Sequence, residues 1–155
     1  MELRAGLVGL GMMGKNHARV MGSTENVELV GIADPLGDPT GTINSELIFS
    51  SLEELIDQDI DLAVVACPTI EHEQVAMKLC EAGIHTLVEK PLAIDTEAAL
   101  RIANAFQKAN LVGAVGHIER FNPAIRSMRQ RIAEGELGEL YQISTRRIGP
   151  FPNRI

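Results

Sequence analysis

Six residues near the start of the chain, Gly9-Leu10-Gly11-Met12-Met13-Gly14, carry three glycines at the spacing G-x-G-x-x-G. Directly after a strand and at the opening of a helix, that spacing has a mechanical meaning. Gly9 allows the tight turn, Gly11 lets the backbone approach a pyrophosphate, and Gly14 permits close packing of helix on strand. Met12 and Met13 begin the helix, whose free N–H groups attract an anion. Asp34 stands twenty residues after Gly14, at the expected end of a second strand. A carboxylate there accepts hydrogen bonds from the hydroxyls of an adenosine ribose. It would also face the extra phosphate of NADP at close range, so NAD is favoured over NADP, with FAD a minor alternative. A glycine turn alone can serve packing; strand, helix and Asp34 together point to a bound dinucleotide.

A second constellation is Glu89-Lys90-Pro91, at the carboxyl end of the expected fifth strand, where open α/β sheets hold their ligands. Taken alone it reads equally well as a solvated Glu–Lys pair before a proline turn. Pro68 and Thr69 follow the expected fourth strand, and His72 lies in the first turn of the next helix, bordering the cofactor. His117 follows the sixth strand and stands either at the nicotinamide side of the crevice or in packing. His17 and His85 read as structural. Cys67 and Cys80 fit neither a zinc-ligand pair nor a C-x-x-C motif, so both are expected to be buried, reduced thiols and no metal site is expected.

The elements that must position these residues alternate in type. Short apolar or β-branched runs predict strands at Leu3–Val8, Val27–Ala33, Leu47–Phe49, Ile60–Ala66, His85–Val88 and Leu111–Val115, the third being the weakest. Helical periods lie between them. One helix begins after Pro68 with Thr69 as its N-cap, buries Val75, Ala76, Leu79 and Cys80, and stops at Gly83. Another begins at Asp95 or Thr96, buries Ala99, Ile102, Ala103 and Phe106, and ends at Asn110. A short helix covers Leu52–Ile56, and Pro35–Ser45 reads as a loop. Alternating strands and helices predict an α/β fold, a doubly wound parallel Rossmann sheet.

Charge divides the chain. Residues 1–116 carry 7 basic and 17 acidic side chains, whereas 117–155 carry 7 arginines and 4 glutamates. The boundary is placed at His117, giving a dinucleotide-binding domain over 1–117 and the first helix and strand of an incomplete second domain over 118–155. Asn122 and Pro123 form an N-cap and N1 pair for a helix with Ile125, Met128 and Ile132 on one face, ended by Gly135 and Gly138. Leu140–Ile148 reads as a strand. One helix and one strand cannot bury a core of their own, and their apolar face is expected to pair with another copy as a homo-oligomer.

The glycine turn, Asp34, Pro68-Thr69 and Glu89-Lys90-Pro91, in this order, resemble the N-terminal half of the Gfo/Idh/MocA oxidoreductase family. The resemblance implies a nicotinamide-dependent dehydrogenase acting on a sugar or polyol hydroxyl, with Lys90 at the reaction centre, touching both cofactor and substrate. An ammonium there stabilises the alkoxide that develops as hydride leaves the carbon. The segment His117-Ile118-Glu119-Arg120-Phe121-Asn122-Pro123 is similar to that of the UDP-N-acetylglucosamine 3-dehydrogenase group. That similarity makes Arg120 and Asn122 candidates for the substrate pocket, with Asn122 readable equally as a helix cap, and suits Arg146, Arg147 and Arg154 either to a sugar-nucleotide diphosphate or to a solvated strand face. Family members are more than twice this length and complete the site with a histidine of the second domain. The chain is therefore expected to be a truncated, cofactor-binding part that does not turn over alone.

Composition bounds the other readings. A net charge of -7 disfavours nucleic acid and anionic membrane surfaces. No apolar run approaches the roughly 20 residues that span a bilayer, and no secretory signal is visible, so the cytoplasm is the expected location. A stand-alone NAD-sensing or interaction module is the alternative to an enzyme, and Lys90 discriminates, because a sensor does not need it.

Overall fold

The computed structural model describes residues 2–146 and Ile148. The chain divides into two units, Met1–His117 and Ile118–Ile155.

The first unit is a six-stranded, wholly parallel sheet in the order β3-β2-β1-β4-β5-β6. Its strands are β1 Leu3–Val8, β2 Val27–Ala33, β3 Ile48–Phe49, β4 Leu62–Val65, β5 His85–Val88 and β6 Gly113–Val115. The helices are α1 Met12–Met21, α2 Leu52–Ile56, α3 His72–Glu81 and α4 Thr96–Ala109. The chain runs outward from β1 to β3, then returns to lay β4 against the other side of β1. This reversal opens a crevice at the carboxyl ends of β1 and β4, where open sheets of this kind bind ligands.

Each central strand feeds two cores because successive side chains alternate in direction. Ala5, Leu7 and Val64 join α1 residues Ala18 and Met21 on one face. Val8, Ala63 and Val65 join Leu55 of α2, Ala76 and Leu79 of α3, and Ile102 and Phe106 of α4 on the other. Parallel strands covered on both faces read as continuous apolar runs, as Leu62–Val65 does. Caps fix the helix starts. Ser51 accepts from the Glu54 amide at 3.2 Å, and Asp95 accepts from the Ala98 amide at 2.8 Å. At the other end of α4, Asn110 takes the left-handed conformation, φ 55°.

Four sequence expectations are corrected. Thr69 is not a helix N-cap: Thr69–Glu71 form one tight 3-10 turn and the α-helix begins at His72, which brings His72 into the buried face and leaves Val75 half-buried. In α4 the buried alanine is Ala98, while Ala99 is half-buried and Ala103 exposed. Small side chains give the helical period no phase of their own, so Ile102 and Phe106 set the face and the alanines follow. The strands at 47–49, 60–66 and 111–115 are shorter than their apolar runs, because a strand extends only as far as its neighbour pairs with it.

The fourth correction falls in the second unit. It holds a 3-10 turn, Ile118–Phe121, and helix α5, Pro123–Ala133, with Gly135 and Gly138 at positive φ beyond its end. Residues 140–146 form no strand, because among the described residues of this unit no second strand offers its N–H and C=O groups. Ile125 and Ile132 are half-buried on α5 and Met128 is 40% exposed.

Candidate functional site

The sheet delivers its candidate residues to one edge. Beyond five of the six strands the ladder continues by one residue: Gly9 N–H donates to Ala33 O, Asp34 N–H to Phe49 O, Ala66 N–H to Val8 O, Glu89 N–H to Val65 O and Gly116 N–H to Val88 O, all within 2.7 to 3.0 Å. These bonds are the last point at which the sheet controls direction, and the residues after them form the crevice.

The three glycines divide their labour. Gly9 has φ 92°, and a Cβ there would lie 2.6 Å from the Cys67 nitrogen. A Cβ on Gly14 would overlap the Gly9 carbonyl oxygen, so α1 lies this close to the turn after β1 only because Gly14 has no side chain. A Cβ on Gly11 would meet nothing within 4 Å. Gly11 is also the N-cap of α1, with no side chain capping the helix and no acidic residue in its first turn. Its open approach and the uncapped first-turn N–H groups fit a pyrophosphate.

Asp34 is held from two sides. Its Oδ2 accepts from the Leu10 N–H of the glycine turn at 2.6 Å, and its Oδ1 accepts from Leu36 N–H at 2.8 Å. Each oxygen keeps a lone pair for a ribose hydroxyl. A cavity of about 780 Å³ lies here, and among the expected residues Gly9, Gly11, Met12, Met13, Asp34 and Pro68 line it. It also takes in Ser50, Ser51, Cys67 and Glu71, which the sequence reading did not single out. Ser50 and Ser51 were findable, since they follow a strand at its carboxyl end. Cys67 is half-buried, not buried as expected; burial, with the Glu71 and Asp34 carboxylates adding to it, pushes its thiol up to about 11, while its own backbone opposes the shift. Cys80 is buried.

Thr69, His72, Glu89, Lys90 and His117 do not line that cavity. His117 is exposed after β6. His72 is 1% exposed, and its ring nitrogens lie 3.0 Å from the Pro91 and Cys67 carbonyl oxygens. Both partners are acceptors, and whichever ring nitrogen carries the proton donates to one of them, so His72 packs between the turn after β4 and the turn after β5. Glu89 is 6% exposed. Its Oε1 lies 2.9 Å from His17 Nε2 and its Oε2 accepts from the Lys90 N–H at 3.0 Å. Gly116 makes room for it, since a Cβ there would come within 3.1 Å of Oε2. His17, read as structural, is thus the side-chain partner of Glu89, a pairing that its signal, a histidine one turn beyond Gly14, is too common to reveal from sequence.

Lys90 stands between these two histidine contacts. Its side chain is exposed and forms no hydrogen bond or ion pair among the described residues. An ammonium on a backbone fixed at both neighbours, with its charge uncommitted, can serve a substrate oxygen.

In the second unit Arg120 lines a separate cavity of about 530 Å³ with Glu119, Ile125, Arg129, Thr145 and Arg146. Asn122 is committed elsewhere: its Oδ1 caps α5 by accepting from Ala124 N–H at 3.0 Å, and its Nδ2 donates to Glu119 at 3.0 Å. Arg147 and Arg154 lie outside the described residues. Among the described residues no three His, Cys, Asp or Glu side chains gather as metal ligands, and no helix is long and apolar enough to cross a membrane.

The fold and the glycine-turn crevice define an open parallel sheet built to hold a dinucleotide. Residues 3–117 match the profile of the Gfo/Idh/MocA oxidoreductase family with its NAD-binding Rossmann fold, and the chain belongs to that family, whose cofactor is NAD. It is 32% identical to a UDP-N-acetylglucosamine 3-dehydrogenase of Acidithiobacillus ferrooxidans over 99% of this chain and 48% of that protein. It is 33% identical to an inositol 2-dehydrogenase of Corynebacterium glutamicum over 92% of this chain and 44% of that protein. The solved structure of the A. ferrooxidans enzyme superposes with a TM-score of 0.76 at 34% identity, over 84% of this chain and 43% of that one. A scyllo-inositol dehydrogenase from Lactobacillus casei, solved with NAD(H) and scyllo-inositol, has the same fold with a TM-score of 0.81 at 24% identity, covering 90% of this chain and 43% of that one. The chain thus spans less than half the length of these relatives.

Proposed function

We propose that this chain is the cofactor-binding part of an NAD-dependent dehydrogenase that moves hydride between nicotinamide and a hydroxyl-bearing carbon of a sugar or sugar nucleotide. The observation that carries the reading is the coincidence, along one sheet edge, of an open Gly11 cradle, a doubly anchored Asp34 and an uncommitted Lys90. Bound NAD supplies the hydride acceptor. Gly9, Gly11, Met12, Met13 and Gly14 shape the pyrophosphate cradle, with Asp34 on the ribose and Pro68-Thr69 bordering the cofactor. His117 lies on the nicotinamide side. Lys90 orients the substrate hydroxyl and stabilises the negative charge that gathers on its oxygen as hydride leaves the carbon.

The sugar-nucleotide form of the reading is supported by Arg120, Arg129 and Arg146 around one cavity, donors suited to a diphosphate, and by the A. ferrooxidans relative. Residues 118–155 then begin a second domain. Exposure of Tyr141 and Ile143 supports self-association, which sedimentation at increasing concentration checks.

Calorimetric titration of the 155-residue chain with NAD tests the cofactor half: binding is expected, and a flat titration refutes it. The catalytic half needs a protein that carries this chain together with the length its relatives have. There Lys90→Met keeps bulk, loses charge and is expected to retain NAD binding while abolishing NADH formation from the sugar. Undiminished turnover in that variant overturns the role of Lys90.

A further inference from the structure

Asp38 lies in the loop after β2, four residues past Asp34, and its side chain is 1% exposed although the loop itself is at the surface. Backbone and hydroxyl donors surround it. Thr40 donates its N–H at 3.0 Å and its hydroxyl at 2.6 Å to Oδ1; Thr42 N–H at 2.6 Å, Thr42 Oγ1 at 3.0 Å and Ile43 N–H at 2.9 Å donate to Oδ2. The last donor comes from another element. Lys15 Nζ, on α1 one residue after Gly14, reaches Asp38 Oδ1 at 3.1 Å and also donates to Thr40 Oγ1.

Both halves of this clasp grow out of the candidate cofactor site. Lys15 N–H donates to the Gly11 carbonyl, and Gly37 N–H donates to the Asp34 carbonyl. A ribose held on Asp34 directs its 2′ substituent toward the loop that follows that residue, and dinucleotide-binding sheets that take a 2′-phosphate present a cation there. This chain has such a cation in Lys15, but its charge is spent on Asp38.

Resting on the dinucleotide reading, we propose that Asp38 is a specificity-determining residue for the cofactor: by holding the Lys15 ammonium within its own loop, it keeps that cation from a 2′-phosphate and adds to Asp34 a second discrimination against NADP. Without the Asp38 charge, Lys15 becomes a phosphate ligand.

The test uses the 155-residue chain as wild type, Asp38→Asn, Lys15→Gln and the double variant, each titrated with NAD and NADP beside a thermal melt. Asn keeps the shape and an acceptor oxygen for the loop. The wild type is expected to favour NAD, and Asp38→Asn to move the affinity ratio toward NADP by about tenfold or more, equivalent to 1.4 kcal/mol. Lys15→Gln alone should leave the ratio within about twofold, because the lysine is already committed, and the double variant should return to the wild-type ratio. An Asp38→Asn ratio unchanged in a folded chain that still binds NAD overturns the proposal. So does a fall in NADP affinity in Lys15→Gln alone, which needs no change at Asp38 and reads the same clasp from its other end. A wild type that binds neither dinucleotide takes down the cofactor reading and this inference together.

Discussion

Gly11→Ala separates the binding role of the glycine turn from its folding role. Gly11 has φ -68° and ψ -166°, values open to alanine, and a Cβ there meets nothing within 4 Å. Replacing glycine at a compatible position stabilises by about 0.4–1 kcal/mol through the unfolded chain. Loss of glycine's advantage over alanine at an N-cap costs a similar amount, roughly 0.5–1 kcal/mol. The two offset, so the thermal midpoint should move by no more than about 2 °C. Binding is another matter. The methyl group occupies the space through which a phosphate oxygen must come to within about 2.9 Å of the first-turn N–H groups. Charge-assisted hydrogen bonds of this kind contribute about 1.5–3 kcal/mol each. Losing one raises the NAD dissociation constant by about tenfold or more. Calorimetry and a melt on the same sample decide it. Unchanged NAD affinity in a folded variant refutes the cradle, and a lowered midpoint refutes the claim that Gly11 faces open space. Gly14→Ala is the control: its Cβ overlaps the Gly9 carbonyl. Overpacking of this sort costs roughly 1–3 kcal/mol or more, so that midpoint should fall by several degrees.

The remaining predictions concern buried charge and acid–base behaviour. His17→Ala leaves the buried Glu89 carboxylate with the Lys90 N–H as its remaining partner, which should cost about 1–3 kcal/mol in urea unfolding; a loss below about 0.5 kcal/mol would show that the contact contributes nothing. With its thiol pushed up to about 11 by burial, Cys67 should react with iodoacetamide at pH 8 on the order of 100-fold more slowly than a free thiol, and the rate should climb through pH 9 to 11; fast alkylation at pH 8 contradicts the shift. The Thr40 hydroxyl, followed by the Ile43 and Thr40 amides and Lys15, holds the Asp38 carboxyl well below the usual carboxylate range, burial opposing them. A depressed folded value contributes stability that is fully present above the unfolded value of about 3.9 and is lost as pH falls from there toward the folded value. The Thr40 and Ile43 amide resonances should therefore hold steady from pH 7 to 4 and shift only on further acidification, and Asp38→Asn should remove that dependence.

Features legible in the residues alone were local. Gly9 to Gly14, the apolar run at 62–65, the Asp95 cap and the left-handed Asn110 each act over a few residues, so their types and spacing already specify the turn, strand or helix end. Three of the six strands have the bounds their residue pattern predicts, and Asp34 falls where the second one ends. Tertiary structure decided what depends on residues distant in sequence. His17 and Glu89 are 72 positions apart and meet because the sheet order lays β5 two strands from β1, which brings the residue after β5 to α1. Lys15 finds Asp38, and His72 finds the Pro91 carbonyl, for the same reason. The alanine that α4 buries and the length of each shorter strand were likewise set by the neighbour each packs against. A side chain's type states what it can bond to; only the sheet order and the helix phase state what stands within 3 Å of it.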